Sequence, residues 1–234
     1  MSDHTNIIRL KAVNQALSGL LGQEFVFVGG AVVSLYADRL AEEVRPTEDV
    51  DVLVEVYTRI DYTRIEERLR QLGFKHDTSS KFVGRFIMEN LIVDFMPMEE
   101  DVLGFNNRWY IDGFKSAQAV FLDERNTIKI FAAPYFLAAK IEAFKSRGKN
   151  ARGDYDGRGS TDFEDIVFVL VNRSAIWEEM EQSESGLKSY LQTEFTSLLD
   201  NPDFEEWIDA HSSYGSPAAQ AIVLPYARRF IRRK

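Results

Sequence analysis

The segment "DVDVLV", which begins at Asp49, alternates acidic and apolar residues and constrains the fold more than any other stretch of the sequence. Side chains of a β-strand point alternately to its two faces, so Val50, Val52 and Val54 share one face. Asp49 and Asp51 share the opposite face, roughly 7 Å apart along the strand. The pattern predicts a strand whose valine face is buried and whose other face carries two carboxylates.

The sequence around this strand predicts an α/β unit that opens with an amphipathic helix. The apolar run "EFVFVGG" ends in Gly29 and Gly30, and the helical pattern "AVVSLYADRLAEE" follows, which predicts strand, turn and helix in this order. "YTRIEERLRQLGF" predicts a helix that ends near Gly73. The runs "KFVGRFIME" and "LIVDFMPM", separated by Asn90, predict an antiparallel hairpin. A sheet built from these strands would be mixed.

The character of the sequence changes after residue 125. "YFLAAKIEAFKSRG" has a helical pattern, and a glycine-rich charged loop follows it. "DFEDIVFVLVNR" then resumes a helix that Ser160, Thr161 or Asp162 can cap. The sequence therefore predicts an α/β core with an N-terminal helix, residues 1–125, and a mainly helical C-terminal domain, residues 126–234.

Composition limits the kind of site that the chain can build. It has no cysteine, which excludes disulfides and thiolate metal ligands, and its three histidines, His4, His76 and His211, are too scattered to suggest zinc. A metal ion would therefore be held by oxygen. The N-terminus lacks a signal-peptide pattern, and no apolar run approaches the roughly 20 residues that span a bilayer. We expect a cytoplasmic protein without a membrane partner.

Charge argues against an extended phosphate-binding surface, because the formal net charge is -9. Two clusters of basic residues nevertheless occur: Lys145, Arg147, Lys149, Arg152 and Arg158 in one segment, and residues 228–234. Such clusters are most often solvated surface, and the alternative is a local patch that contacts phosphate or RNA.

A third carboxylate, Asp94, lies within the apolar run "LIVDFMP". Burying it unpaired would cost several kcal/mol. If this strand pairs beside the strand of Asp49 and Asp51, three carboxylates converge on an oxygen-only site suited to Mg²⁺. Otherwise the acids are solvent-facing residues of a strand.

The Gly-Gly turn lets the backbone approach a ligand. The sequence at this turn lacks both the G-x-G-x-x-G and the G-K-[ST] patterns.

Together these motifs resemble the nucleotidyltransferase superfamily related to DNA polymerase β, and specifically the AbiEii-type nucleotidyltransferase-like proteins. The superfamily has a strand ending in Gly-Gly or Gly-Ser, then D-x-D, then a single later Asp, which are similar to "VFVGG", "TEDVDVLV" and "LIVDFMP". The AbiEii-type branch adds a lysine helix and a further D-x-x-D, similar to "AAKIEAFKSRG" and "TDFEDIVFVL". The resemblance covers roughly residues 25–170 and implies a nucleotidyltransferase-fold core followed by a helical region.

Carried over by position, the resemblance implies roles for five residues of the core. Gly29 and Gly30 would hold the triphosphate of an NTP. Asp49 and Asp51 would bind Mg²⁺ or Mn²⁺, and Asp94 would be a third metal ligand or a base.

In the C-terminal region the resemblance implies that Lys140 and Arg147 contact nucleotide phosphates and that Asp162 orients Lys140 or the nucleotide. Thr161 stands where the family often has a basic residue. Without the resemblance, Lys140 would be read as a solvated lysine and Asp162 as a helix cap. "DYDGRGSTDFED" also has a partial calcium-loop register, with Arg158 at a position that requires a ligand oxygen.

The implied function is transfer of a nucleoside monophosphate from an NTP to an acceptor hydroxyl. Relatives in this branch often serve as toxins of toxin–antitoxin systems, which implies RNA as an acceptor and a small antitoxin protein as a partner. The alternatives are a non-catalytic nucleotide-binding or toxin-like interaction protein, and nucleotidylation of a small molecule of the aminoglycoside type.

Overall fold

A computed structural model of the protein describes residues 2–20, 22–38, 44–104, 107–212 and 219–233. Contacts divide the chain into two compact units. The first unit contains residues up to Leu35 and those from Val44 to Ala132, and the second contains Ala133 onward with a short segment that starts at Tyr36. No helix within the described ranges is long and apolar enough to cross a membrane.

The first unit is built on one mixed sheet, which confirms the predicted fold class. Its strands are β1 Phe25–Val28, β2 Asp49–Val54, β3 Lys75–His76, β4 Arg85–Met88, β5 Leu91–Pro97, β6 Gln118–Asp123 and β7 Asn126–Ile130. Within the described residues the strand order is β3-β4-β5-β2-β1-β7-β6. Strand β2 pairs antiparallel with β1 and parallel with β5, so the two acidic strands are neighbours near the middle of the sheet.

Helices complete the first unit and build the second. Those of the first unit are α1 Ser2–Leu17, α2 Arg59–Gln71, α3 Glu100–Leu103 and α4 Tyr110–Lys115. Those of the second unit are α5 Ala133–Arg147, α6 Thr161–Asn172, α7 Ile176–Glu181, α8 Ser185–Leu199, α9 Phe204–Ala210 and α10 Ala219–Phe230.

The helix predicted after the Gly-Gly turn differs from the structure. A seven-residue 3-10 helix, Gly30–Tyr36, follows β1, and residues 39–43 of the predicted helix lie outside the described residues. Helix α2 begins at Arg59, three residues before the predicted pattern at Tyr62, and α6 begins after one of its predicted caps, Ser160. The hydroxyls of Thr58 and Ser160 accept hydrogen bonds from the first turns of these helices and cap them.

The first unit also extends further along the chain than the predicted boundary at residue 125. Strand β7 pairs antiparallel with β6 and parallel with β1, where Phe27 lies opposite Ile130. Asn126, Ile128 and Ile130 are buried in alternation with more exposed residues, which is the burial pattern of a strand. The contacts therefore divide the chain after Ala132.

The second unit has an aromatic core that joins its helices. The ring of Phe163 on α6 lies 5.2 Å from that of Phe144 on α5 and 5.6 Å from that of Trp207 on α9. All three side chains are almost fully buried. This packing holds α5 and α6 side by side, so that the polar residues of one helix reach those of the other.

Candidate functional site

The register of the sheet brings the strand acids of the first unit together. Asp51 lies beside Asp94 on the parallel pair β2 and β5, and Asp49 is two residues before Asp51 on the same face. On the opposite face Val50 and Val52 are at most 1% exposed. The valine face is therefore buried, and the three carboxylates lie together on the other face as the pairing of the strands requires.

Arg85 on β4 lies in the middle of these acids. It is opposite Asp94 in the β4–β5 hairpin, and its guanidinium donates from Nε to Oδ1 and from Nη2 to Oδ2 of Asp94, both at 2.7 Å. The same Nη2 donates to Oδ2 of Asp49 at 2.8 Å. A two-point pair of this geometry is among the stronger side-chain hydrogen-bonded arrangements. The guanidinium therefore bridges two of the three carboxylates.

The sequence reasoning missed Arg85, although a signal for it was present. The two-residue turn after Met88 pairs Met88 with Leu91, and counting back along the hairpin places Arg85 opposite Asp94. A charged residue within an apolar strand, facing a carboxylate across a tight hairpin, predicts an ion pair. The position of Arg85 could thus have been read from the hairpin that the sequence predicted.

The surrounding charges favour the ionised form of Arg85. Hydrogen bonding to Asp94 raises the pKa of Arg85 above its already high value, against burial, and the charges of Asp49 and Asp51 raise it further. The Arg85 side chain is 26% exposed and that of Asp49 is 33% exposed, whereas Asp94 is 10% exposed. The guanidinium is thus permanently charged and reachable from solvent, beside an acid that is nearly buried.

Gly29 places the backbone of the turn directly against Asp51. Its φ is +73°, a conformation that L-residues with a side chain rarely adopt. A Cβ at this position would come within 2.7 Å of the Asp51 Cγ and closer still to its Oδ2. The turn needs glycine for both reasons, and the backbone reaches the carboxylates only because Gly29 has no side chain. Gly30 is buried where the 3-10 helix begins.

The strand acids are not arranged as a metal site while Arg85 is bonded to two of them. In the described part of the chain, no group of three or more His, Cys, Asp or Glu side chains is arranged to hold a metal ion. The physical reason at the strand acids is Arg85, whose guanidinium takes the central position that a cation would take. The expected Mg²⁺ or Mn²⁺ therefore stays a prediction.

A buried ionic network lies in the second unit, where the sequence reasoning singled out Lys140, Arg147 and Asp162. The ammonium of Lys140 is 2.6 Å from Oδ2 of Asp165 and 3.2 Å from Oδ1 of Asp162. Arg147 donates from Nε and Nη2 to the two oxygens of Asp162 at 2.7 and 2.8 Å. The structure thus brings together the lysine, the arginine and both acids of the D-x-x-D pattern.

Exposure separates the members of this network. Lys140 is 8% exposed and both aspartates are 2% exposed, whereas the Arg147 side chain is 63% exposed. Burial alone would raise the pKa of Asp162, but the hydrogen bond from Arg147 and the charges of Lys140 and Arg147 outweigh it and lower this pKa. The exposed cation is therefore Arg147, and Lys140 faces inward.

Arg147 also lines a cavity of about 320 Å³ at the start of α6, together with Lys149, Ser160 and Thr161. The predicted contacts of Lys140 and Arg147 with nucleotide phosphates stay predictions. Because Lys140 points at Asp162 and Asp165, only Arg147 of the two presents its charge to this cavity.

Several of the remaining basic residues of the second unit have acidic partners within it. Lys145 pairs with Glu142 and Glu194, and Arg158 pairs with Asp156 and Glu206. Pairing of this kind offsets the charge that a phosphate backbone would meet. The partial calcium-loop register is not formed, because Asp156 is bonded to Arg158 and Asp165 to Lys140.

Comparison with known proteins agrees with the fold. No family model matches the sequence, and no curated protein matches it. Among solved structures, an antigenic nucleotidyltransferase-like protein from Paracoccidioides brasiliensis matches with a TM-score of 0.52 at 18% identity, over 95% of this chain and 98% of that one. The antibiotic-resistance factor ANT(2'')-Ia matches with a TM-score of 0.49 at 12% identity, over 84% of this chain and 96% of that one. The first of these matches shows that the chain has a nucleotidyltransferase-like fold.

Proposed function

We propose that this protein transfers a nucleoside monophosphate from an NTP to an acceptor hydroxyl and releases pyrophosphate. The observation that carries the proposal is the register of β2 and β5, which sets Asp51 beside Asp94 with Asp49 on the same face. The backbone of Gly29 lies against this cluster. Phosphoryl transfer is catalysed mainly by positioning and by electrostatic stabilisation, to which carboxylates that would hold metal ions and backbone N–H groups that meet phosphate can both contribute.

The glycine turn has the role of admitting the triphosphate. Gly29 has no side chain where the backbone meets Asp51. In this proposal a phosphate group approaches the main-chain N–H groups of Gly29 and Gly30 at this turn. The 3-10 helix that follows is only seven residues long, and its dipole is accordingly small. The phosphate contact in this proposal therefore rests on the turn itself.

The predicted Mg²⁺ or Mn²⁺ is part of this proposal, with Asp49, Asp51 and Asp94 as the residues that would hold it. Asp94 is also the predicted base. Both roles require that Arg85 first give up its hydrogen bonds, because a carboxylate with both oxygens bonded to a guanidinium is a poor ligand and a weak base.

In the second unit, Arg147 is the residue that we assign to phosphate contact. It is largely exposed at the cavity beside Thr161, and its guanidinium is held in place by both oxygens of Asp162. Lys140 acts through Asp162, since it is buried and paired. Asp162 is thus a positioning residue that fixes the direction of Arg147.

A second candidate function is nucleotide binding without transfer. The observation that favours it is the saturation of Asp94 by Arg85, which leaves the carboxylate cluster with an internal cation. A protein that only binds a nucleotide has no need to release that carboxylate. The two functions differ in one measurable respect, the appearance of a covalent nucleotidyl product.

Label transfer separates these candidates. The protein would be incubated with Mg²⁺ or Mn²⁺, each α-labelled NTP in turn, and either total RNA or a small polyhydroxylated amine of the aminoglycoside type. We expect label on an acceptor that is lost in the Asp49→Asn/Asp51→Asn variant and kept in Glu55→Gln, whose exposed acid lies just past the end of β2. NTP binding without label on any acceptor would refute transfer and support the binding function.

RNA is the acceptor that we propose, and the arm with the small amine tests the alternative. The proposed toxin role, with a small antitoxin protein as partner, predicts that expression arrests growth and that the Asp49→Asn/Asp51→Asn variant does not. If both proteins arrest growth, the growth inhibition does not depend on nucleotidyl transfer. Labelled RNA without growth arrest would retain the enzyme and remove the toxin role.

A further inference from the structure

Arg85 fills the position at the strand acids where a cation belongs. Its Nη2 is 2.8 Å from Asp49 and 2.7 Å from Asp94, and its Nε holds the second oxygen of Asp94. Asp51 lies next to Asp94 and adds to the charge that Arg85 meets. Three carboxylates and one guanidinium leave two net negative charges in place of three. A divalent cation that arrives alone therefore meets a cluster that is already partly neutralised and sterically occupied.

The guanidinium is held firmly, yet it is open to exchange. About a quarter of the Arg85 side chain is exposed, and so is a third of Asp49, so solvent and ligands reach this face of the cluster. A guanidinium pairs with a phosphate through the same two-point geometry that it uses with a carboxylate. A polyphosphate at the neighbouring Gly29 turn would offer Arg85 an equivalent partner and leave the oxygens of Asp94 free.

We propose that Arg85 is an internal cation that keeps the carboxylate cluster closed to divalent metal until a polyphosphate ligand takes its guanidinium. This inference rests on the proposed function, because it concerns the metal and nucleotide of that reaction. Its consequence is an order of binding in which metal enters with the nucleotide or after it. Arg85 is a positioning residue in this scheme, since it acts through Asp49 and Asp94.

Titration of the whole protein with Mn²⁺ in the absence of nucleotide tests the inference directly. Free Mn²⁺ would be followed by its electron paramagnetic resonance signal in the wild type and in the Arg85→Gln variant. We expect Arg85→Gln to bind Mn²⁺ at least about tenfold more tightly, because one positive charge within 3 Å of two carboxylates has been removed. Arg85→Gln/Asp94→Asn should lose the gain, which assigns it to this cluster.

Arg64→Gln is the matched control. Arg64 pairs with Asp61 at 3.0 Å on α2 of the same unit, and its side chain is 71% exposed. Removing its charge should leave Mn²⁺ binding within about twofold of the wild type, because the pair is solvated and screened. The inference is overturned if the wild type binds Mn²⁺ as tightly as Arg85→Gln, or if Arg64→Gln gives the same gain.

A second measurement compares ligand states of the wild type and uses a variant only to assign one resonance, so its outcome does not depend on how Arg85→Gln folds. The Nε–H resonance of Arg85, assigned by its absence in Arg85→Lys, reports the hydrogen bond to Asp94. We expect Mg²⁺ alone to leave it unchanged, and Mg²⁺ with a non-hydrolysable NTP analogue to shift it. Movement with Mg²⁺ alone, or no movement with both ligands, contradicts the inference.

The outcomes also distinguish this inference from the proposed function. If the wild type transfers label and also binds Mn²⁺ as tightly as Arg85→Gln, the role of Arg85 is refuted and the proposed transferase activity stands. If Arg85→Gln gains Mn²⁺ affinity but no acceptor is labelled, the inference about Arg85 stands and the proposed transferase activity is refuted.

Discussion

Replacing Gly29 by alanine tests whether the glycine turn and the Asp51 carboxylate are packed against each other. Two costs add in this variant. A side chain at φ +73° brings backbone strain of about 1–2 kcal/mol. The new Cβ would lie 2.7 Å from the Asp51 Cγ, well inside a van der Waals contact of about 3.5 Å, so the carboxylate must move. Crowding of this kind costs about 1–3 kcal/mol, which gives about 2–5 kcal/mol in total.

Gly22→Ala is the matched control for the strain. Gly22 has a similar φ of +78°, and no described atom would lie within 4 Å of its Cβ, so it should cost only about 1–2 kcal/mol. Amide hydrogen exchange of β1 and β2 measures the free energy of unfolding in the unit that contains both glycines. We expect Gly29→Ala to exceed Gly22→Ala by about 1–3 kcal/mol.

A double-mutant cycle identifies the source of that excess. In an Asp51→Ala background the Cγ and Oδ2 that crowd Gly29 are gone, so the extra cost of Gly29→Ala should fall by more than half. Equal costs of Gly29→Ala in the two backgrounds would refute the close packing of the turn on Asp51. Equal costs of Gly29→Ala and Gly22→Ala would refute it as well.

Three further predictions concern the ionic clusters. Arg85→Ala should destabilise the first unit by about 1–3 kcal/mol, because Asp94 is nearly buried and loses its partner. Arg64→Ala should change the stability little, and amide hydrogen exchange compares the two variants. Lys140→Met should destabilise the second unit by about 3–5 kcal/mol, measured by urea unfolding, because it removes a cation from between buried carboxylates. The lowered pKa of Asp162 contributes stability that is present above its unfolded pKa of about 3.9 and is lost as pH falls through the folded value. The loss of stability on acidification below about pH 4 should therefore be smaller in Asp162→Asn, and an equal loss in both proteins would contradict this account.

Local patterns in the sequence were enough to predict the strands that carry the acids. The alternation in β2 is a property of neighbouring residues, and Val50 and Val52 are buried as it requires. The Asn90 turn likewise predicts the β4–β5 hairpin, whose register is set by the two residues between Met88 and Leu91. Helix α6 was also predictable from its cap at Ser160.

The tertiary structure decided how distant segments combine. The parallel pairing of β2 with β5 joins strands about 40 residues apart, and no local preference fixes which strands become neighbours. The pairing of β7 with β1 spans about 100 residues, which is why the boundary predicted at residue 125 was placed before β7. Burial of Lys140 depends on the packing of α5 against α6, and a helical pattern cannot show what its polar face will meet.

The sequence by itself determined that Asp49, Asp51 and Asp94 stand on β-strands, because side-chain alternation is local. The β4–β5 hairpin is local in the sequence and places Arg85 opposite Asp94. Only the tertiary structure decided that Arg85 also reaches Asp49, because β2 pairs with β5 from a distant part of the chain. The guanidinium of Arg85 therefore bonds to Asp94 across the hairpin and to Asp49 across the β2–β5 pair, and its charge lies between these two carboxylates.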